Sequence, residues 1–163
     1  YETKIDLNTA SPQYNAAGDW VGILFAVQAI GSGLWAIVLP RFRSRKFSYS
    51  LSLVLGAVGF VLAGLIQNQY MLFIAFFLIG CAWAAMLALP FALLTNSLSG
   101  KSLGSYMGLF NCTICLPQIV AAVIGGVILK GICAGSQVGM LVAAGVLLIL
   151  GAISVVLIKE GKK

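Results

Sequence analysis

The stretch YMLFIAFFLIGCAWAAMLALPFALL, Tyr70–Leu94, holds 25 residues without a single charge. At about 1.5 Å of rise per residue, a helix of that length crosses a hydrocarbon layer roughly 30 Å thick with residues to spare. Four further stretches share its character: Asp19–Leu39, Phe47–Ile66, Gly104–Leu129 and Val138–Ile158. Within the bilayer no water can bond the backbone, so a spanning segment is either a helix or part of a closed barrel. Unbroken apolar runs without period-2 alternation exclude the barrel. The expected fold class is an all-α membrane protein with five transmembrane helices.

Composition agrees. Hydrophobic residues make up 61% of the chain and charged residues 9%, against roughly 25% charge in a soluble domain. The formal net charge is +6, a balance that elsewhere suggests nucleic acid. Its placement argues against such a partner, because the basic residues sit in the connections between spans. Arg41, Arg43, Arg45 and Lys46 fill the first connection, Lys101 lies in the third, and Lys159, Lys162 and Lys163 form the tail. Only Lys4 and Lys130 fall on the other side, so eight of the ten Lys and Arg share one side. The positive-inside rule makes that side cytoplasmic, with the tail 159–163 inside and residues 1–18 forming an irregular exterior loop. A polar segment delivered outside needs an upstream signal or span, and the chain starts at Tyr1 without one. It therefore reads as the C-terminal portion of a longer polytopic protein. Short connections make consecutive helices the expected antiparallel neighbours.

Glycine is frequent, with 19 residues. The pairs Gly18/Gly22, Gly104/Gly108 and Gly135/Gly139 have the small-xxx-small spacing that lets helices approach closely. Pro90 and Pro117 lie well inside the third and fourth spans, where each removes a backbone bond and marks a candidate hinge. Asp19 suits the positive end of the first helix dipole. Cys112 and Cys115 form a CxxC, but the chain contains no His, and the spacing within a span suits a packing face better than a metal site. No nucleophile–base pair or metal cluster is present, so an enzyme and a cofactor are not expected.

The fourth span carries the polar chemistry. At about 100° per residue, one face gathers Gly104, Gly108, Asn111, Cys112, Cys115, Gln118 and Ala122, while Leu109, Leu116, Val120 and Val123 lie opposite. Asn111 and Gln118 are seven residues apart and share that polar face. An amide in hydrocarbon costs several kcal/mol unless bonded, so both need partner groups, water or substrate. Interhelical hydrogen bonds and the lining of a solute cavity are both open on this pattern. Gln28 in the first span and Asn96 near the end of the third are further polar candidates. Trp83, near the middle of the third span, offers an aromatic face on which a sugar ring stacks. Thr113 can return its hydroxyl to its own backbone.

The segment Ala88–Val120, ALPFALLTNSLSGKSLGSYMGLFNCTICLPQIV, resembles the region joining helices ten and eleven of sucrose–proton symporters and their bacterial relatives. These belong to the glycoside–pentoside–hexuronide:cation symporter group of the major facilitator superfamily. The strongest part is Gly104-Ser-Tyr-Met-Gly108, Phe110-Asn111, Ile114 and Pro117-Gln118, similar to a GxxMGxxNxxIxxPQ pattern. The basic connection Arg41–Lys46 after Pro40 resembles the cytoplasmic loop between helices eight and nine. On this resemblance the five spans are helices eight to twelve, most of the C-terminal six-helix bundle, and the N-terminal bundle of the same transporter is missing. It implies a sugar substrate, a glucoside or disaccharide, bound near the bilayer midplane, and supports Asn111 and Gln118 as cavity residues beside the pattern-based candidates Trp83 and Gln28. It also implies a coupling proton or cation whose carboxylates lie outside this chain, and residence in the plasma membrane or a bacterial inner membrane among its lipids. A drug or metabolite exporter of the same superfamily and a non-transporting membrane interaction subunit are the alternatives.

Overall fold

The computed structural model describes residues 11–97 and 103–157. Residues 1–10, Lys101 with its neighbours, the tail 159–163 and the side chain of Asn96 lie outside the described parts. Five helices account for almost all of it: α1 (Pro12–Val38), α2 (Arg45–Leu65), α3 (Leu72–Ser97), α4 (Leu103–Val127) and α5 (Gln137–Leu157). All five are long and apolar enough to cross a membrane. The boundaries fall within a few residues of the sequence expectation except at the first helix, which begins at Pro12 instead of Asp19.

The early start has a local cause. Ser11 is extended at φ −74°, ψ 140°, and its hydroxyl accepts a bond from the Tyr14 amide at 3.2 Å. Pro12 then occupies the first helical position, where its missing N–H costs nothing. Residues 12–18, expected as loop, are therefore helical, and Asp19 sits eight residues into α1. The dipole effect fades beyond the first turn, so that reading of Asp19 does not hold. The fourth span also overruns its expected end. Helical structure continues through a five-residue π-turn, Ile128–Ile132, and the chain reverses at Ala134 and Gly135, both at positive φ. Both internal prolines lie in uninterrupted helices.

Helix packing departs from the sequence expectation. α1 lies along α3, α3 along α2, and α2 along α5, so four helices form a row in the order α1, α3, α2, α5. Of the consecutive pairs, only α2 and α3 are packed along their length. The order follows from small residues meeting backbone across helices. Gly31 of α1 faces the Phe77 carbonyl, and Gly80 of α3 faces the Gln28 carbonyl and the Ser32 amide. Gly56 of α2 faces Ala82, Gly59 faces the Ala75 carbonyl and Ile79, and Gly145 of α5 faces the Ala57 carbonyl. Without a hydrophobic drive between helices in lipid, such close approach supplies the dispersion that holds them. The three glycine pairs singled out by spacing do not do this. Gly18, Gly22, Gly104, Gly108 and Gly135 meet nothing within 4 Å, and Gly139 meets the adjoining turn residues Cys133 and Ser136. Spacing marks a smooth stripe on one helix, but close packing also needs a second smooth stripe in register opposite it.

Hydrogen bonds stitch the row. Ser32 Oγ donates to the Gly80 carbonyl at 2.7 Å, and Ser50 Oγ donates to the Ala152 carbonyl of α5 at 3.2 Å. Trp35 Nε1 donates to Ser52 Oγ at 2.8 Å, which in turn donates to the Ser48 carbonyl at 2.6 Å. Ser48 and Ser52 are fully buried. Trp35→Phe keeps most of the ring and removes the donor, so it is expected to cost about 1 kcal/mol. A thermal midpoint of the full-length protein in detergent equal to wild type would contradict a structural role for this bond.

Candidate substrate-cavity wall

α4 stands apart from the row. None of its described side chains is buried, and its clearest contact with another helix is the pair Phe91–Phe110, with ring centroids 6.4 Å apart. Half-buried residues on α4 include Met107, Phe110, Ile114 and Gly125. Met107, Asn111, Ile114, Gln118 and Gly125 follow one another at steps of four, three, four and seven, which at about 100° per residue is one side of the helix. Asn111 and Gln118 thus share one side of α4 with Met107, Ile114 and Gly125. Leu109, Leu116, Val123 and Val127 are 61–72% exposed.

Asn111 and Gln118 are both exposed, and neither side chain has a hydrogen-bond partner among the described residues. Thr113 behaves as its sequence position suggests: its hydroxyl donates to the Phe110 carbonyl at 2.7 Å. Pro117 follows four residues later and leaves the Thr113 carbonyl without its usual helical donor.

Trp83 is 47% exposed and lies on α3 in a stripe with Leu87 and Phe91, four residues apart each time. That stripe ends at the Phe91–Phe110 contact. Trp83 precedes Phe91 by eight residues and Gln118 follows Phe110 by eight, so each lies about 12 Å along its own helix from the contact. Gln28 is half-buried on α1, with its backbone carbonyl against Gly80, one turn of α3 from Trp83. Trp83 and Gln28 are therefore near one depth on the packed row, while Asn111 and Gln118 stand on the separate helix.

Cys112 and Cys115 are free and exposed, and no group of three or more His, Cys, Asp or Glu among the described residues could hold a metal ion. At the far end of α1, Trp20 packs on Phe73 and Tyr70 with centroids 5.3 and 5.8 Å away. No spacing in the sequence announces the α1–α3 pairing that joins these rings.

Five long apolar helices with a polar stripe on one of them match the general plan of a polytopic transporter, and a family profile decides which kind. The Major Facilitator Superfamily profile matches residues 5–163. The chain belongs to the Major Facilitator Superfamily. No curated protein and no solved structure matches the chain. Membership in the superfamily makes this an integral multi-pass membrane protein of the transporter class, whose small-molecule substrates pass between helices. Within that class, the row α1–α3–α2–α5 forms a packed slab and α4 forms the polar-faced element beside it.

Proposed function

We propose that the chain forms most of the C-terminal helical bundle of a sugar transporter, a cation- or proton-coupled symporter for a glucoside or disaccharide. The observation that carries the reading is the pair Asn111 and Gln118, two neutral amides on one face of α4 without partners among the described residues. In a membrane such groups require hydrogen-bonding company, and hydroxyls of a polyol supply both donors and acceptors for them. The motif around them, Gly104–Gly108 through Pro117-Gln118, is the part of the chain most similar to the sugar symporters. Trp83, lying as far from the Phe91–Phe110 contact as Gln118 does, offers its ring face to the C–H face of a pyranose.

In this reading the four-helix slab moves as one body, because its contacts are glycine against backbone and leave little room to slide. α4 is the element free to adjust, with Pro117 and Pro90 as hinges where a backbone bond is missing. Closure of α4 about the Phe91–Phe110 contact brings the amides and Trp83 to the same solute. The coupling carboxylates belong to helices outside this chain: Asp19 is the one acidic residue among those described, and it is exposed near one end of α1.

Uptake of labelled disaccharides by the full-length protein in vesicles tests the proposal. Saturable accumulation that collapses with the proton or sodium gradient is the expected result. Efflux of amphipathic drugs without sugar uptake would replace it with the exporter reading, and absence of any solute flux would leave the interaction-subunit reading. Orientation has its own test. With the arginine-rich connection cytoplasmic, a cysteine introduced by Ser44→Cys is expected to resist an impermeant reagent applied outside, and one introduced by Gly135→Cys to react. The reverse labelling pattern would invert the topology.

A further inference from the structure

The connection between α1 and α2 contains all three arginines of the chain, Arg41, Arg43 and Arg45, at alternate positions; every other basic residue is Lys. A topogenic signal needs only positive charge and is met equally by Lys. Concentrating the arginines in one segment calls for something that guanidinium does and ammonium does not.

The backbone leaves all three exposed within five residues of chain. A 3-10 turn, Leu39–Arg41, closes α1, after which Phe42 and Ser44 are extended, at φ −76°, ψ 128° and φ −107°, ψ 115°. Phe42 turns inward, its ring between Trp35 at 6.1 Å and Phe47 at 6.0 Å. Ser44 turns to cap α2, accepting from the Phe47 amide at 3.3 Å. Arg41 at the end of the 3-10 turn, Arg43 in the bend and Arg45 at the start of α2 are all left exposed. The segment is also anchored. Ser48 Oγ donates to the Arg45 carbonyl at 2.9 Å, and the Ser48 carbonyl accepts from Ser52, itself bonded to Trp35. No described acidic residue serves these cations: Asp19 is 22 residues before Arg41, about 33 Å along α1. Arg45 moreover occupies the first turn of α2, the positive end of its dipole, where a cation is unfavourable unless an anion sits nearby.

We propose that Arg41, Arg43 and Arg45 form a docking surface for the phosphodiester headgroup of an anionic membrane phospholipid. The segment joins two spans, so it lies at the level where headgroups lie. Planar guanidinium forks bond phosphate oxygens bidentately, which an ammonium cannot do. Clusters of basic residues beside a span gain about 1 kcal/mol per charge from an anionic leaflet. The Phe42 clamp holds the segment in place before lipid arrives.

The test uses the full-length protein in phosphatidylcholine vesicles containing a trace of photoactivatable phosphatidylglycerol, with the cross-linked peptides mapped by mass spectrometry. Labelling should concentrate on residues 39–47 and be displaced by unlabelled phosphatidylglycerol but not by inorganic phosphate. Arg43→Gln is expected to reduce it roughly fivefold. The triple variant R41K/R43K/R45K keeps every charge, and with it the topology, yet should lose about twofold or more because each fork becomes a single point of contact. Labelling in the triple variant equal to wild type would overturn the proposal in favour of general charge attraction. Displacement by inorganic phosphate would overturn it in favour of a free-anion site, and no enrichment over photoactivatable phosphatidylcholine would end it. All three substituted arginines are exposed, and a monodisperse elution profile checks that each variant is folded.

Discussion

Gly80→Leu is expected to abolish the α1–α3 interface and with it the folded protein. A side chain at position 80 begins with a Cβ that would lie against the Gln28 carbonyl and 3.0 Å from the Ser32 amide, both backbone atoms that cannot swing aside. α1 would have to withdraw along its length, breaking the bond from Ser32 Oγ to the Gly80 carbonyl and uncoupling Gly31 from Phe77. Overpacking by single methylenes costs about 1–3 kcal/mol in a close-packed interior, and four additional carbons against rigid backbone exceed that. Total stability is on the order of 5–15 kcal/mol, so the loss is a large part of it. Gly33→Leu is the control: Gly33 lies on α1, the helix that Gly80 packs against, and a Cβ there meets nothing within 4 Å. In the full-length protein, the Gly80 variant should aggregate or elute as a broad species while the Gly33 variant elutes like wild type. Equal thermal midpoints for the two variants would show that α1 does not pack on α3 as described.

Gln118→Leu is expected to have the largest effect on transport. It keeps approximate volume and removes an amide that has no partner among the described residues. If Gln118 bonds the solute, loss of one neutral hydrogen bond weakens apparent affinity by roughly 0.5–1.5 kcal/mol, and by more when a buried partner is stranded. Maximal rate and membrane expression then stay near wild type. If it braces α4 against a neighbouring helix, stability falls and affinity is unchanged in the molecules that remain folded. Asn111→Leu, two turns away on the same face, separates the two cases further, because a solute spanning both amides makes their losses non-additive. Expression, affinity and rate all at wild-type values in both variants would remove the pair from the cavity wall.

Several features were legible from residue order because their physics is local. Ser11-Pro12 is a cap followed by a proline at the first helical position, a signal strong enough to start α1 seven residues before the apolar run. Thr113 returns its hydroxyl to its own turn, as a threonine on an apolar face does. The shared face of Asn111 and Gln118 required only the helical period. The Trp35–Ser52 bond was not legible, since it joins residues 17 apart on two helices and no spacing rule connects them.

Residue order by itself determined that this chain is five membrane-spanning helices, because length and hydropathy are summed along the chain and bilayer thickness is external to the fold. It also located the two amides on a single helical face. Which helices touch was decided only by the tertiary structure. The glycines that matter, Gly31, Gly56, Gly59, Gly80 and Gly145, carry no distinguishing spacing, whereas the well-spaced Gly18/Gly22 and Gly104/Gly108 pairs face open space. In lipid every apolar side chain is equally content with a neighbour or an acyl chain, so association depends on two surfaces matching in shape. Shape complementarity is a property of two helices at once, and one strip of sequence specifies only half of it.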